Sequence, residues 1–204
     1  MTTTDEFYGR RELLTDLDRV PCKANWLAAR RRYVESHFGD SGVRDVASRL
    51  EAEATRRSFL EPPLPMSWSD VATVVAIDRA IFEGPMNLSY ARMREFGGEI
   101  ATYDVNGVYR AFFRLATPRF VFSRIGTVWS QYFRRGSLAC ETRERDADIH
   151  LHDVVMPRYL CQHGIPGWFD TMLGLVGARA PSVRHPSCIH AGADHCVWNA
   201  RWSL

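Results

Sequence analysis

Four side chains near the end of the chain are of the types that bind metal ions: Cys161, His185, Cys188 and Cys196. His185 and Cys188 are three residues apart, and Cys196 follows eight residues after Cys188. Thiolate sulfur and imidazole nitrogen are the ligands of tetrahedral zinc sites, and thiolates select zinc over magnesium or calcium. Four protein ligands leave no open position on the metal. The pattern therefore predicts a structural zinc site rather than a catalytic one.

The elements that must position these ligands are one helix and a hairpin. Apolar spacing and a closing glycine predict a helix over residues 157–176, with Cys161 in its first turns. Strands over residues 183–191 and 195–202 flank a short loop containing Gly192, so Cys188 and Cys196 can face each other across the ladder. The other histidines near the cluster are alternatives for the fourth ligand: His163, His190 and His195.

The rest of the chain divides into a helical half followed by a sheet. Amphipathic spacing predicts helices over residues 24–37, 43–59, 68–82 and 119–135. Alternating apolar and polar residues then predict strands over residues 137–145 and 147–155. With the helix and hairpin above, the order becomes helices and then β-β-α-β-β. This order predicts the α+β class, with an antiparallel sheet in the C-terminal part.

A stiff, proline-rich segment, Glu61-Pro62-Pro63-Leu64-Pro65, separates two expected regions. No helix crosses such a segment, because proline lacks the amide hydrogen and clashes with the preceding turn. We predict an N-terminal helical region over residues 1–60 and an α+β ligand-binding domain over residues 61–204.

Aromatic residues and two histidines are candidates for a ligand pocket between the helices and the sheet. An apolar cavity with a few polar groups is typical of small-molecule sites. His150 and His152 are two residues apart on a predicted strand and therefore share a face. The alternative is that the aromatic residues form an ordinary core without a pocket. For the two histidines, the alternative is that they are half-exposed strand residues without a ligand. The pocket candidates are Phe113, Phe120, Trp129, Tyr132, Phe133, His150, His152, Trp168 and Phe169.

The C-terminal motifs resemble a known sensor family. The tail Cys188-x3-Gly192-x3-Cys196-x-Trp198 resembles the ending of the 4-vinyl-reductase domain, which is also the sensor domain of XylR-type activators. The run Cys161-x2-Gly164-x2-Gly167 resembles the family's preceding helix. The whole chain is also similar to uncharacterised myxobacterial proteins of about 200 residues with a heme-NO-binding-like fold.

The resemblance implies a zinc held by a helix cysteine, a glutamate and two hairpin cysteines, with His185 here in the place of the glutamate. It also implies a homodimer formed through the N-terminal helices. Heme is the alternative cofactor that the fold implies. It is disfavoured because the Tyr-x-Ser-x-Arg signature of heme-based nitric-oxide sensors is absent, and Ser130 to Arg134 has similar letters in another order.

Composition excludes several classes of function. The formal net charge is +2, with acids and bases interleaved, which argues against a nucleic-acid or membrane surface. The polar N-terminus is not a signal peptide, and five cysteines argue against a disulfide framework, so a cytoplasmic protein is expected. The chain has none of the common enzyme motifs, such as the P-loop, G-x-S-x-G or H-E-x-x-H.

The function expected from the sequence is a zinc-stabilised sensor-type domain. It would bind a small hydrophobic or aromatic ligand and act through a separate signalling partner. Three alternatives stay open at this point: a protein-interaction adaptor without a ligand, a heme-based gas sensor, and a small enzyme of aromatic or tetrapyrrole metabolism.

Overall fold

The computed structural model describes residues 3–104 and 116–203. Contacts divide the chain into two compact units. The smaller unit comprises residues 16–93, and the larger unit joins residues 1–15 to residues 94–204. The division predicted after residue 60 falls inside the smaller unit.

The smaller unit is mainly helical. It contains α2 (Asn25–Arg49), α3 (Glu53–Leu60) and α4 (Val71–Glu83), and a two-stranded sheet of β1 (Pro21–Lys23) and β2 (Trp68–Asp70). The kink in α2 lies at Gly39, whose positive φ of 60° is one that glycine adopts without strain. This position corresponds to the break predicted between the first two helices.

One predicted helix begins later than expected. Residues 68–70 are extended and pair with residues 21–23, so the helix predicted from residue 68 starts at Val71. Asp70 caps it, because its carboxylate accepts a hydrogen bond of 2.7 Å from the amide of Thr73. The short partner strand β1 carried no alternating pattern long enough to predict this pairing.

A buried ion pair lies inside the smaller unit. Arg30 on α2 donates to both carboxylate oxygens of Asp78 on α4, at 2.6 and 2.8 Å, and to the carbonyl of Trp26 at 3.0 Å. The side chains of Arg30 and Asp78 are 2% and 0% exposed. The two-pronged geometry satisfies most of the polar atoms that burial takes from water.

The larger unit is built on a four-stranded antiparallel sheet. Its strands are β3 (Ser137–Thr142), β4 (Asp146–His152), β5 (Arg179–Ser187) and β6 (Cys196–Ser203), in the order β3-β4-β6-β5. The described helices of this unit are α1 (Thr3–Tyr8), α6 (Pro118–Ser123), α7 (Ile125–Tyr132) and α8 (Ile165–Leu175). Helix α5 (Tyr90–Asp104) spans the boundary between the units. The predicted α+β class and β-β-α-β-β order are confirmed.

Two of the predicted helices of this unit are interrupted. Thr117 caps α6, but the helix predicted over residues 119–135 breaks at Arg124, which has φ −110° and ψ 0°. The helix expected over residues 157–176 contains a π-turn, Leu160–Gly164, before α8. Helical periodicity does not distinguish these local breaks from a continuous helix.

One face of the sheet forms the core of the larger unit. Alternate residues of β4 and β6 are buried, and Trp198 and Trp202 of β6 lie near Phe169 of α8 and Phe122 of α6, with ring centroids 6.5 and 5.7 Å apart. The opposite face of β4 carries the half-buried residues His150 and His152. This separation of the two faces decides which side chains can share a site.

Candidate functional site

The hairpin between β5 and β6 brings the predicted metal ligands to one place. Cys188 follows β5, a single 3-10 turn covers residues 189–191, and Gly192 turns the chain back with φ 96°. The carbonyl of Cys188 accepts hydrogen bonds from the amides of Ala191 and Ala193, at 2.9 and 3.2 Å. Cys196 then opens β6. These backbone bonds set Cys188, directly after β5, near Cys196 at the start of β6. The strand predicted over residues 183–191 thus ends at Ser187.

Four side chains lie near this hairpin, and we term them the thiol cluster: Cys161, His185, Cys188 and Cys196. Three of them meet at one point, whereas Cys161 approaches Cys196 and is not part of that mutual group. The ligand atoms of the hairpin cysteines and His185 lie within 4.8 Å of one another. The Sγ atoms of Cys196 and Cys161 are 3.7 Å apart, and all of these cysteines are free thiols. Cys161 reaches the cluster from the π-turn that precedes α8.

Electrostatics favour the neutral forms of the two hairpin cysteines and of His185. The contact with the Cys161 thiol and burial raise the pKa of Cys196 to about 12, and the contact with Cys196 together with burial raises the pKa of Cys188. Burial lowers the pKa of His185 to about 4. Cys188 and Cys196 are therefore protonated thiols, and the His185 imidazole is uncharged, near neutral pH.

His185 is also distinguished by its surroundings. Its ring stacks on Trp198, with centroids 5.0 Å apart and an interplanar angle of 14°. Both of its ring nitrogens are buried and have no hydrogen-bond partner among the described residues. His190, an alternative ligand from the sequence, instead makes hydrogen bonds to the carbonyl of Met156 at 2.7 Å and to the amide of Arg10 at 3.1 Å. His185 is thus the histidine that shares the thiol cluster.

A small apolar cavity lies between helices of the larger unit, with about 220 Å³ of empty space, part of it open to solvent. Two of the predicted pocket residues, Trp168 and Phe169, line it. The sequence did not single out the other lining residues, because they have the spacing of any amphipathic helix: Pro118, Val121, Phe122, Ile125, Met172, Leu173 and Val176.

The other predicted pocket residues lie elsewhere. Phe120 is 42% exposed, and Trp129 and Phe133 stack on each other with centroids 4.1 Å apart. Tyr132 is half-buried and does not line this cavity. Phe113 lies outside the described residues.

His150 and His152 lie on the sheet face opposite the core and form a second cluster with a third histidine. His195 immediately precedes β6, and the pairing of Leu151 with Cys196 sets it beside His152, with ring centroids 4.4 Å apart. We term His150, His152 and His195 the histidine cluster. The register of β4 and β6 brings His195 to the other two histidines. The alternating pattern of these strands indicates which face each histidine occupies, but it does not give the register.

Comparison with known proteins identifies the fold. No protein-family model matches the sequence, and no curated protein matches it. The structure is similar to an H-NOX protein from S. oneidensis in the Fe(II)NO ligation state, with a TM-score of 0.66 and 13% identity over 89% of this chain and 99% of that one. The chain has the H-NOX fold.

Other H-NOX structures give the same result. The unliganded Fe(II) H-NOX protein from K. algicida has a TM-score of 0.66 and 10% identity, and the two chains are covered to 89% and 97%. An oxygen-binding H-NOX domain related to soluble guanylate cyclases, in its oxygen complex, has a TM-score of 0.62 and 10% identity, with 89% and 95% covered. The predicted heme-NO-binding-like fold is confirmed, whereas the 4-vinyl-reductase, XylR and myxobacterial resemblances are not supported.

The comparisons also correct the predicted cofactor. We predicted a structural zinc ion and disfavoured heme, and this prediction was wrong, because the similar structures are H-NOX proteins described in Fe(II) states. The spacing of the cysteines and His185 favoured zinc because it describes residues that are close in sequence. Spacing carries no information on the overall fold, which is the feature shared with the H-NOX proteins. The assignment of the four side chains of the thiol cluster as ligands stays a prediction from their spacing.

The apolar cavity of the larger unit is not a recognisable heme site. An iron ligand would be a histidine, cysteine, methionine or tyrosine facing a large apolar pocket. The cavity of the larger unit is lined by carbon-rich side chains with Met172 as its one sulfur-bearing residue, and its enclosed free volume is only about 10 Å³, far below the range of about 300–1,000 Å³ of sites for larger ligands. His185 does not open onto this cavity, and its ring face is covered by Trp198.

Proposed function

We propose that this chain is a sensor domain for a small gaseous molecule and that it acts through a separate protein. The observation that carries the proposal is the similarity of fold along 89% of the chain to H-NOX proteins described in nitric-oxide, unliganded and oxygen-bound states. Among the functions expected from the sequence, the heme-based gas sensor fits these comparisons better than the zinc-stabilised domain.

The apolar cavity supports a ligand of gas size. Its lining is entirely hydrophobic, and aromatic contacts between Phe122, Phe169 and Trp202 hold neighbouring helix and strand residues in place. Such a lining offers no hydrogen bond to a charged or strongly polar ligand, whose transfer from water would be costly. A small uncharged molecule therefore suits this cavity better than an ion.

Heme is the cofactor implied by the fold, and in such sensors it supplies the iron that binds the gas. Because the described residues do not show its ligand, we assign this chain's cavity residues a single role, which is to exclude water and polar solutes. The aromatic and aliphatic side chains of α6 and α8 exclude water by packing closely around the cavity.

Absorption spectroscopy tests the proposal directly. The full chain, produced in cells supplied with a heme precursor, should show a Soret band that shifts when carbon monoxide or nitric oxide replaces nitrogen. His→Asn variants of six histidines, with the seventh, exposed His37, as the matched control, should identify an imidazole ligand by loss of the band. A purified chain with no Soret band under these conditions would contradict heme-dependent gas sensing.

None of the described helices is long and apolar enough to cross a membrane.

The separate partner and the homodimer stay predictions. Sedimentation at rising micromolar concentration tests the dimer, and a mass that stays at 23.3 kDa throughout would contradict it.

A further inference from the structure

The histidine cluster has the arrangement of a metal site on the outer face of the sheet. The ring nitrogens of His150, His152 and His195 lie within 4.8 Å of one another, and Nδ1 of His150 is 3.0 Å from Nε2 of His195. The rings of His150 and His152 are nearly parallel, with an interplanar angle of 4°. Two antiparallel strands thus direct three imidazoles to one point.

One nitrogen of this cluster lacks the partner that burial requires. Nε2 of His150 is buried and has no hydrogen-bond partner among the described residues. Leaving a buried polar atom unsatisfied is unfavourable, so such an atom in a native fold points to a bound water or ion. The contact with His195 satisfies only the other nitrogen of the same ring.

We propose that His150, His152 and His195 bind a divalent late transition-metal ion such as Ni²⁺ or Cu²⁺. Imidazole is a preferred ligand of these ions, whereas magnesium and calcium prefer oxygen. Nitrogens bound at about 2.1 Å to one ion lie about 3–3.5 Å apart, so rotations of the side chains alone can close the observed spacing. The three histidines are half-buried, so an ion can reach the site from solvent.

The neighbouring groups on this face are compatible with a cation. Ser137 and Ala139 of β3 pair with His152 and His150, and neither carries charge. Asp148 of β4 is already bound by Arg143 and by Asn199. Asp153 and Asp194 adjoin His152 and His195 in sequence, but among the described residues the group of ligand atoms within 4.8 Å of one another contains the three imidazoles alone. The metal would therefore have three nitrogen ligands from the protein and no carboxylate.

The proposed site is separate from the thiol cluster, although His195 and Cys196 are adjacent in sequence. Successive side chains of a strand point to opposite faces, and Cys196 is buried on the core side while His195 is half-buried on the other. The inference does not depend on the proposed gas-sensing function, because it uses neither the apolar cavity nor heme.

Calorimetric titration of the full chain with Ni²⁺ tests the proposal. We expect one bound ion per chain, with an affinity that falls at least tenfold in His152→Asn and in His195→Asn. The matched control is His37→Asn, which removes an exposed histidine of the smaller unit and should leave the affinity unchanged. Unchanged affinity in both cluster variants would overturn the site.

Spectroscopy of the unsubstituted chain keeps the test independent of variant folding. The electron paramagnetic resonance spectrum of Cu²⁺ bound at one equivalent should show coupling to at least two imidazole nitrogens, whereas the thiol cluster offers only that of His185. A Co²⁺ adduct with an intense thiolate charge-transfer band, together with coupling to no more than one imidazole in the Cu²⁺ spectrum, would assign the ion to the thiol cluster and refute the proposal.

Discussion

Gly97 of α5 packs directly against the backbone of Gly164, where the π-turn joins α8. A Cβ atom added to Gly97 would collide with the carbonyl oxygen and carbon of Gly164. The backbones of the two segments approach each other closely because neither residue has a side chain. The same two helices are also joined by a hydrogen bond: the Trp168 indole of α8 donates to the carboxylate of Asp104, the last residue of α5, at 3.1 Å.

Substitution of Gly97 by alanine tests this contact. We expect Gly97→Ala to lower the free energy of unfolding by about 2 kcal/mol or more, because overpacking against rigid backbone outweighs the gain in helix propensity. Gly174→Ala is the matched control, since nothing lies within 4 Å of the added Cβ in α8. It should be neutral or stabilising by up to about 1 kcal/mol. Urea unfolding measures both, and equal effects would contradict the close approach.

The Arg30–Asp78 pair should contribute strongly to the smaller unit. Asp78→Asn leaves the buried guanidinium without its counter-charge, and we expect a loss of about 3–5 kcal/mol in unfolding free energy. Asp45→Asn breaks an exposed pair with Arg49, in which the side chains are 39% and 41% exposed, and should cost less than about 1 kcal/mol. Thermal and urea unfolding of the two variants compare them. Similar losses of unfolding free energy in the two variants would contradict the larger contribution expected of the buried pair.

Cysteine reactivity should follow burial. Cys22 is fully buried and desolvation raises its pKa to about 12, whereas Cys140 is half-buried. Because the thiolate is the reactive form, alkylation of the folded chain near pH 8 should modify Cys140 first and Cys22 only after unfolding. Mass spectrometry with peptide mapping measures the order. Cys140→Ser should remove the fast phase, and rapid labelling of Cys22 in that variant would contradict the structure.

The Trp198 indole should anchor the π-turn to the sheet. It donates a buried hydrogen bond of 2.8 Å to the carbonyl of Cys161, and the side chain has no exposed area. Trp198→Phe removes this donor and part of the ring, so we expect a loss of about 2–4 kcal/mol from an unsatisfied carbonyl and a cavity. Trp68→Phe, at a partly exposed ring of β2, is the control and should cost less. Thermal unfolding distinguishes them.

The sequence alone determined the α+β class, the order of the sheet elements and the pairing of Cys188 with Cys196 across a hairpin. These features depend on residues that are near one another in the chain, where alternation, glycine turns and proline breaks act directly on the backbone. The helix break at Gly39 is of the same kind. Asp70 as the cap of α4 was not predicted, because the start of this helix depends on pairing between β1 and β2.

Only the tertiary structure decided which distant side chains meet. His195 joins His150 and His152 because the register of β4 and β6 sets it beside them. Trp129 and Phe133, predicted for the pocket, instead stack on each other, and residues without any distinctive pattern line the cavity. Periodicity indicates that a residue faces inward. It does not indicate which partner it meets there, because that depends on strand register and on the angles at which helices pack.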